Sequence, residues 1–307
     1  MILCCGEALI DFLPRKGADG SDVYQPFNGG SIYNTAVALG RLGKPVGLFT
    51  GISKDFFGDG LIDGLKAAGV SLKFIRRTDR HTTLAMVKFF DGQARYSFID
   101  EGSAGRMVEK RDIPKLTKAI TAVHFGSMSL IDEPCGTTYE TLVKRAAKTT
   151  TICFDPNIRP SLVRDKKKYL ARIYRLMALA DIVKVSDEDI LWMTGSKDYK
   201  KVAKSFLRKG AKIVAVTRGG EGCEILTRKI HISITAPKVI VADTVGAGDT
   251  FSAGFYAQLS TAGLLNKKSL AAIEESQLRE AATFAMKAAA ITVSRPGANP
   301  PWANEMA

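Results

Sequence analysis

The chain reads as an α/β protein: a mainly parallel β-sheet flanked by helices, with a small second β-sheet projecting from it. Short apolar runs alternate with amphipathic segments almost throughout the 307 residues, the pattern of strands buried on both faces and joined by crossover helices. That rhythm breaks between Thr82 and Ser103, where two extended runs stand in place of a helix. The hydrophobic fraction of 46% supplies a core, and no apolar run is long enough to span a membrane.

Taken in order, Ile2–Leu9 predicts a first core strand; it lacks a basic leader and carries acids, which argues against a signal peptide. Phe12–Phe27 is extended, and Ser31–Leu42 carries apolar residues at helical spacing up to Gly43. Pro45–Thr50 is a strand and Gly58–Ala68 a helix. Thr83–Phe90 and Ala94–Ile99 are joined at Asp91-Gly92, a hairpin signal. Strands at Ala122–Phe125, Thr151–Phe154, Ile182–Val185 and Ile213–Thr217 then alternate with helices at Thr137–Ala147, Lys167–Leu179 and Tyr199–Lys209. Two further helices, Thr250–Leu259 and Ser276–Ile291, complete a single domain over 1–307, with a lid formed by about 12–27 and 82–103.

The stretch from Asp243 to Ala253 carries the most chemistry. Gly246, Ala247 and Gly248 let backbone N–H groups approach a phosphoryl oxygen, and the helix behind them adds unpaired donors and a positive dipole end. Asp249, beside that anion site, is placed to accept a proton from an attacking hydroxyl; as a lone motif the same Asp is equally well an N-cap. Upstream, Gly29 and Gly30 permit close backbone approach at a strand-to-helix turn, and Asn34 offers both donor and acceptor to a hydroxylated ligand. Asp11 ends an apolar strand and needs partners, which two sugar hydroxyls would supply.

Composition narrows the classes. Five cysteines form no CxxC pair and sit among apolar neighbours, pointing to reduced thiols and a cytoplasmic location. His81, His124 and His231 are far apart, giving little support to a histidine metal site. The net charge of +13 is spread over helical, polar stretches such as Lys166–Lys168 without interleaved aromatics, so no nucleic-acid partner is expected.

With these two glycine motifs, the chain resembles PfkB-type (ribokinase-like) carbohydrate kinases from Gly6 to about Trp302: residues 29–36 resemble the family's N-terminal signature, and Asp243–Asp249 its C-terminal one. The resemblance implies a Rossmann-type fold with a β-lid, sugar beneath the lid and ATP on the outer side of the catalytic loop. Asp249 becomes the base and Gly246–Gly248 the anion hole, with Asp11, Gly30 and Asn34 holding the sugar. Asn157 and Arg159 match polar contacts between the two substrates, and Thr217, Gly219 and Gly222 the nucleotide-contacting turn. Where the family often has Asn-x-x-Glu, this chain reads Ser186-Asp-Glu-Asp189; Asp189 remains able to place a carboxylate near hydrated Mg2+, and Lys184 to contact phosphate. Backbone oxygens near Asp243, Val245, Arg295 and Gly297 form a candidate site for a monovalent cation such as K+. Phe284–Ala289 offers a wall for adenine, although core packing explains most of that helix as well.

Among relatives the similarity is greatest to fructokinases, through Ala94–Arg106, Gly6–Asp11 and Pro300–Trp302. It implies ATP-dependent phosphorylation of D-fructose at the 6-hydroxyl, with Tyr96 and Phe98 closing over the ring and Arg106 anchoring the lid or touching substrate, while packing within the lid hairpin accounts for these three residues equally well. The rival substrate is 2-keto-3-deoxygluconate, whose carboxylate Arg159 would meet; a catalytically weak sugar or nucleotide sensor is the alternative of a different class. A homodimer with lid strands shared between copies is expected from the family.

Overall fold

The computed structural model describes residues 1–90 and 93–307, without the side chains of 88–95. Along the chain come β1 (Ile2–Cys5), β2 (Leu9–Lys16), β3 (Asp22–Gly29), α1 (Ser31–Arg41), β4 (Val46–Ser53), α2 (Phe56–Ala67) and β5 (Ile75–Thr78). Next are β6 (Thr83–Phe90), β7 (Gln93–Ile99), β8 (Ala122–Gly126), α3 (Cys135–Ala146), β9 (Thr151–Asp155), α4 (Lys166–Met177), β10 (Ile182–Ser186) and α5 (Asp187–Thr194). The last part holds α6 (Tyr199–Lys209), β11 (Ile213–Thr217), β12 (Cys223–Leu226), β13 (His231–Ile234), α7 (Ala247–Thr261), α8 (Lys267–Ala271) and α9 (Glu275–Val293). The Asp91-Gly92 turn expected between β6 and β7 lies outside the described residues.

Nine strands form the main sheet in the order β13-β12-β11-β10-β9-β8-β1-β4-β5. Its pairs are parallel except where β12 and β13 return antiparallel at one edge. Alternation along β1 sends Ile2 and Cys4 into one core and Leu3 and Cys5 into another, so the sheet is covered on both faces. One core is closed by α1, α2, α7 and α9, the other by α3 to α6. All five cysteines are free and buried.

One expected strand is corrected. Ile2–Leu9 is not continuous but breaks at Gly6-Glu7, where the chain leaves the main sheet and enters the second. A side chain at Gly6 would press its Cβ to 2.4 Å from Ile32 Cγ1, so the chain turns there against α1. The second sheet runs β3-β2-β6-β7, with β2 antiparallel to β3 and parallel to β6. Strands β2, β3, β6 and β7 thus join one layer, with Leu9–Asp11 at its root. The strands β5, β12 and β13 and the helices α5 and α8 are further elements beyond those read from the sequence.

Helices α1 and α7 place the site. Gly30, at the start of α1, has φ 97°, and Gly246, at the start of α7, has φ 78°; side chains rarely adopt such backbone. Gly254 brings α7 close to α9, since a Cβ there would lie 2.9 Å from Ala285 Cα. The N-termini of α1 and α7 therefore converge at the carboxyl edge of the sheet, where ligands of parallel sheets bind.

Candidate active site

A cavity of about 760 Å3 opens between that edge and the second sheet. Asp11, Gly30, Asn34, Tyr96, Phe98, Asn157, Arg159, Gly246, Gly248 and Asp249 all line it, so most of the residues read from the sequence meet in one place. Tyr96 and Phe98 alternate on β7 and stack with ring centroids 5.9 Å apart. Asp11 rises from β2 over Gly29, where a Cβ would fall 2.0 Å from Asp11 Oδ2. Burial raises its carboxyl to about 7, against the opposing pull of Arg159.

Asp249 is the third residue of α7 and is buried. Its Oδ1 accepts from Ser31 Oγ at 2.6 Å and, more distantly, from Asn157 Nδ2 at 3.4 Å; its Oδ2 accepts from Asn34 Nδ2 at 2.9 Å. The carboxylate is thus bonded across to α1 and does not cap its own helix; the N-cap is Gly246. The N–H groups of Gly246, Gly248 and Asp249 have no protein acceptor among the described residues, so the first turn of α7 keeps free donors of the kind an anion could take.

Lys184 runs beneath this loop, its Nζ 2.9 Å from where a Gly248 Cβ would stand. It is buried and bonded to Asp155 Oδ2 at 2.9 Å. Burial works against its charge, but Asp155, Asp189 and Asp249 outweigh it and hold the ammonium above its ordinary value. Two non-glycine residues of the cavity wall, Ser127 (φ 57°) and Asn157 (φ 36°), have left-handed backbone, a strain that clusters at functional sites.

Arg159 Nη1 donates to Asn157 Oδ1 at 2.6 Å and to the Asn157 carbonyl at 3.2 Å. The loop is pinned from below by Asp189, whose Oδ1 accepts from Ile158 N at 2.9 Å and whose Oδ2 accepts from Ser186 N at 3.3 Å. Asp189 is therefore buried and occupied in a capping box, while its neighbour Glu188 is the exposed carboxylate on the cavity wall. Asp243 Oδ1 and Oδ2 each accept at 3.0 Å, from Val245 N and Gly297 N, which ties the two segments of the candidate cation site together. The Arg295 side chain pairs instead with Glu305.

Two expected groups lie apart from the cavity. Arg106 is held by Glu133 O at 3.3 Å and Asp132 Oδ1 at 3.5 Å, beside a separate cavity of about 520 Å3, and does not line the cavity of Tyr96 and Phe98. Thr217, Gly219 and Gly222 sit on the turn leaving β11, at the same edge but outside the lining. Sequence reasoning missed Ser31, Glu188, Ser127 and Glu7 as lining residues. Glu7 takes a hydrogen bond from the Ser129 hydroxyl on Oε2, and burial raises its carboxyl. Its position in an acid-bearing apolar run was the signal for it.

A family model for pfkB family carbohydrate kinases matches residues 1–305. A fructokinase of Rhizobium leguminosarum bv. trifolii is 48% identical over 279 residues, 91% of this chain and 86% of that one. Among solved structures, fructokinase with bound ATP from Xylella fastidiosa superposes with a TM-score of 0.85 at 29% identity, covering 99% of this chain and 96% of that one. Aminoimidazole riboside kinase from Salmonella enterica shares the fold with a TM-score of 0.86 at 24% identity, over 99% and 97% of the two chains. The molecule is thus a ribokinase-like phosphotransferase. The chain belongs to the pfkB family of carbohydrate kinases, and its reaction is ATP-dependent phosphorylation of a sugar.

Proposed function

We propose that the sugar is D-fructose and that its 6-hydroxyl is the acceptor. The observation that carries the reading is Asp249 buried among hydrogen-bond donors at the mouth of an unpaired helix N-terminus, within a cavity lined by acceptors for hydroxyl groups. Among the described residues, four carboxyl residues, Glu7, Asp11, Glu188 and Asp249, line that cavity against a single cation, Arg159. Such a wall suits a neutral polyol and repels a sugar acid, which favours fructose over 2-keto-3-deoxygluconate. The 48% identity to a fructokinase supports the same choice.

Asp249 takes the proton of the hydroxyl as its oxygen bonds to the γ-phosphorus and the bond to the β-phosphate oxygen breaks, releasing ADP. The N–H groups of Gly246, Gly248 and Asp249 receive the phosphoryl oxygens, with Arg159 and Lys184 as the nearby cations. Asp11, Gly30 and Asn34 hold the sugar, and Tyr96 and Phe98 cover it, so residues 12–27 and 82–103 act as the lid of one catalytic domain. Nucleotide contacts fall to Asn157, Thr217, Gly219 and Gly222. No cluster of three or more His, Cys, Asp or Glu side chains able to hold an ion occurs among the described residues. A hydrated Mg2+ on the nucleotide, faced by Glu188 with Asp189 behind, fits this donor set and would neutralise phosphate charge. K+ would be held by backbone oxygens near Asp243, Val245, Arg295 and Gly297. The five buried thiols support a cytoplasmic setting, and exposed Val23 and Tyr24 on edge strand β3 favour a homodimer through the lid.

Initial rates of ADP formation with magnesium-ATP and fructose, 2-keto-3-deoxygluconate, ribose, glucose or adenosine test the assignment. Fructose should dominate kcat/KM. Preference for the keto acid would make Arg159 a substrate ligand and overturn the sugar assignment, and binding without turnover of any sugar would point to a sensor.

A further inference from the structure

Ser31 has no role in the reading above, yet it stands at the centre of the hydrogen bonds around the base. It is the first residue of α1, buried, and it lines the cavity. Its Oγ lies 2.6 Å from Asp249 Oδ1 and 2.7 Å from Asn157 Nδ2. Asn157 Oδ1 in turn lies 2.6 Å from Arg159 Nη1.

The direction of every proton in this row follows from its two ends. A guanidinium only donates, so the amide oxygen of Asn157 must face Arg159. That leaves the Asn157 amide nitrogen facing Ser31, and an amide nitrogen also only donates. The single hydroxyl proton of Ser31 therefore has to point at Asp249, whose carboxylate only accepts. The left-handed backbone of Asn157 keeps its side chain in this place, and the bond from Asn157 N to Asp155 Oδ1 at 3.1 Å secures that backbone.

We infer that Ser31 is a positioning residue for the phosphoryl transfer: the last link of a one-way donor chain, Arg159 to Asn157 to Ser31, that fixes the carboxylate of Asp249 with its free lone pairs toward the sugar hydroxyl. The inference rests on the kinase reading of Asp249. Asn34 fixes the other oxygen, Oδ2, which keeps its second acceptor site for the incoming proton. The chain also joins the two substrates' sides of the cavity, because Arg159, which would meet the phosphoryl group, orients the base through two intervening side chains.

The test is a kinetic double-mutant cycle with magnesium-ATP and the sugar of highest kcat/KM, measured on the full chain with Ser31→Ala, Asn157→Ala and the pair. Ser31→Ala should lower kcat at least tenfold while the KM values for sugar and ATP stay within about threefold, since a charge-assisted hydrogen bond is removed from the base alone. In the Asn157→Ala background, where nothing orients the hydroxyl, the same change should cost at least threefold less. Equal losses in both backgrounds, or a loss under threefold in the otherwise unaltered chain, would overturn the chain of donors. Asp249→Asn separates the two readings: if it is inactive while Ser31→Ala is normal, the base stands and the donor chain fails, whereas an active Asp249→Asn removes the base itself.

Discussion

Asp11 couples sugar binding to pH. With its carboxyl raised to about 7 by burial, the folded protein holds a proton there that the unfolded chain releases near the ordinary carboxylate range. Stability from this group is greatest below that range and is lost as pH rises toward 7. Sugar hydroxyls donate to the ionised form, so binding runs the other way and tightens as pH rises through 7. The sugar KM should fall roughly tenfold between pH 6 and pH 8, and Asp11→Asn should flatten that dependence. A wild-type KM that does not change over this range would remove Asp11 as a charged ligand. The buried pair beneath the loop gives a second residue-scale prediction: Asp155→Ala strands the ammonium of Lys184, and chemical denaturation should show a loss of about 3–5 kcal/mol. Residues with a backbone reason for their place were legible from sequence. Asp249 was announced by the two glycines before an apolar helix. Ser31 was not, because a serine at a helix start reads as a cap, and Glu188 was passed over because the comparison with Asn-x-x-Glu points to Asp189, although the three-residue spacing from Ser186 marks Asp189 as the capping-box acid.

Helices α1 and α7 brace each other through Asp249, so the anion-binding turn depends on how α7 packs. Gly254 sets that packing, with a Cβ there only 2.9 Å from the backbone of α9. Gly254→Val should push the helices apart and cost about 1–3 kcal/mol in denaturant unfolding. Turnover should fall more than sugar affinity, because the base moves with α7. Unchanged stability would mean that α9 yields freely. At this scale the long amphipathic helices were legible to within a few residues, since apolar periodicity over three or more turns is a strong signal. The helix α6, Tyr199–Lys209, matches its sequence reading at both ends. The short strands β12 and β13 were missed because four residues beside a turn, interrupted by Glu224 in one and by His231 and Ser233 in the other, are too few to show a periodicity. The break at Gly6-Glu7 was missed because an apolar run does not say where it changes sheets; only packing against Ile32 decides that.

Across the whole molecule the charge of +13 surrounds a cavity whose own walls are acidic. The outer field attracts a polyanionic nucleotide, whereas the cavity admits a neutral sugar, and salt screens the first effect without touching the second. Raising ionic strength from about 0.05 to about 0.5 M with an inert salt should therefore raise the KM for ATP several-fold and leave that for sugar nearly constant. Equal sensitivity of both would contradict this division. The fold class was legible from strand-helix alternation, while the convergence of residues as distant as Ser31, Asn157 and Asp249 required the topology of the sheet. The most direct test of the account is single-turnover and steady-state kinetics of Asp249→Asn, alongside calorimetric binding of sugar and ATP. Turnover should fall by roughly 10²–10⁴-fold with both affinities kept within a few-fold; near-normal turnover in that variant would contradict the role of Asp249 as the base.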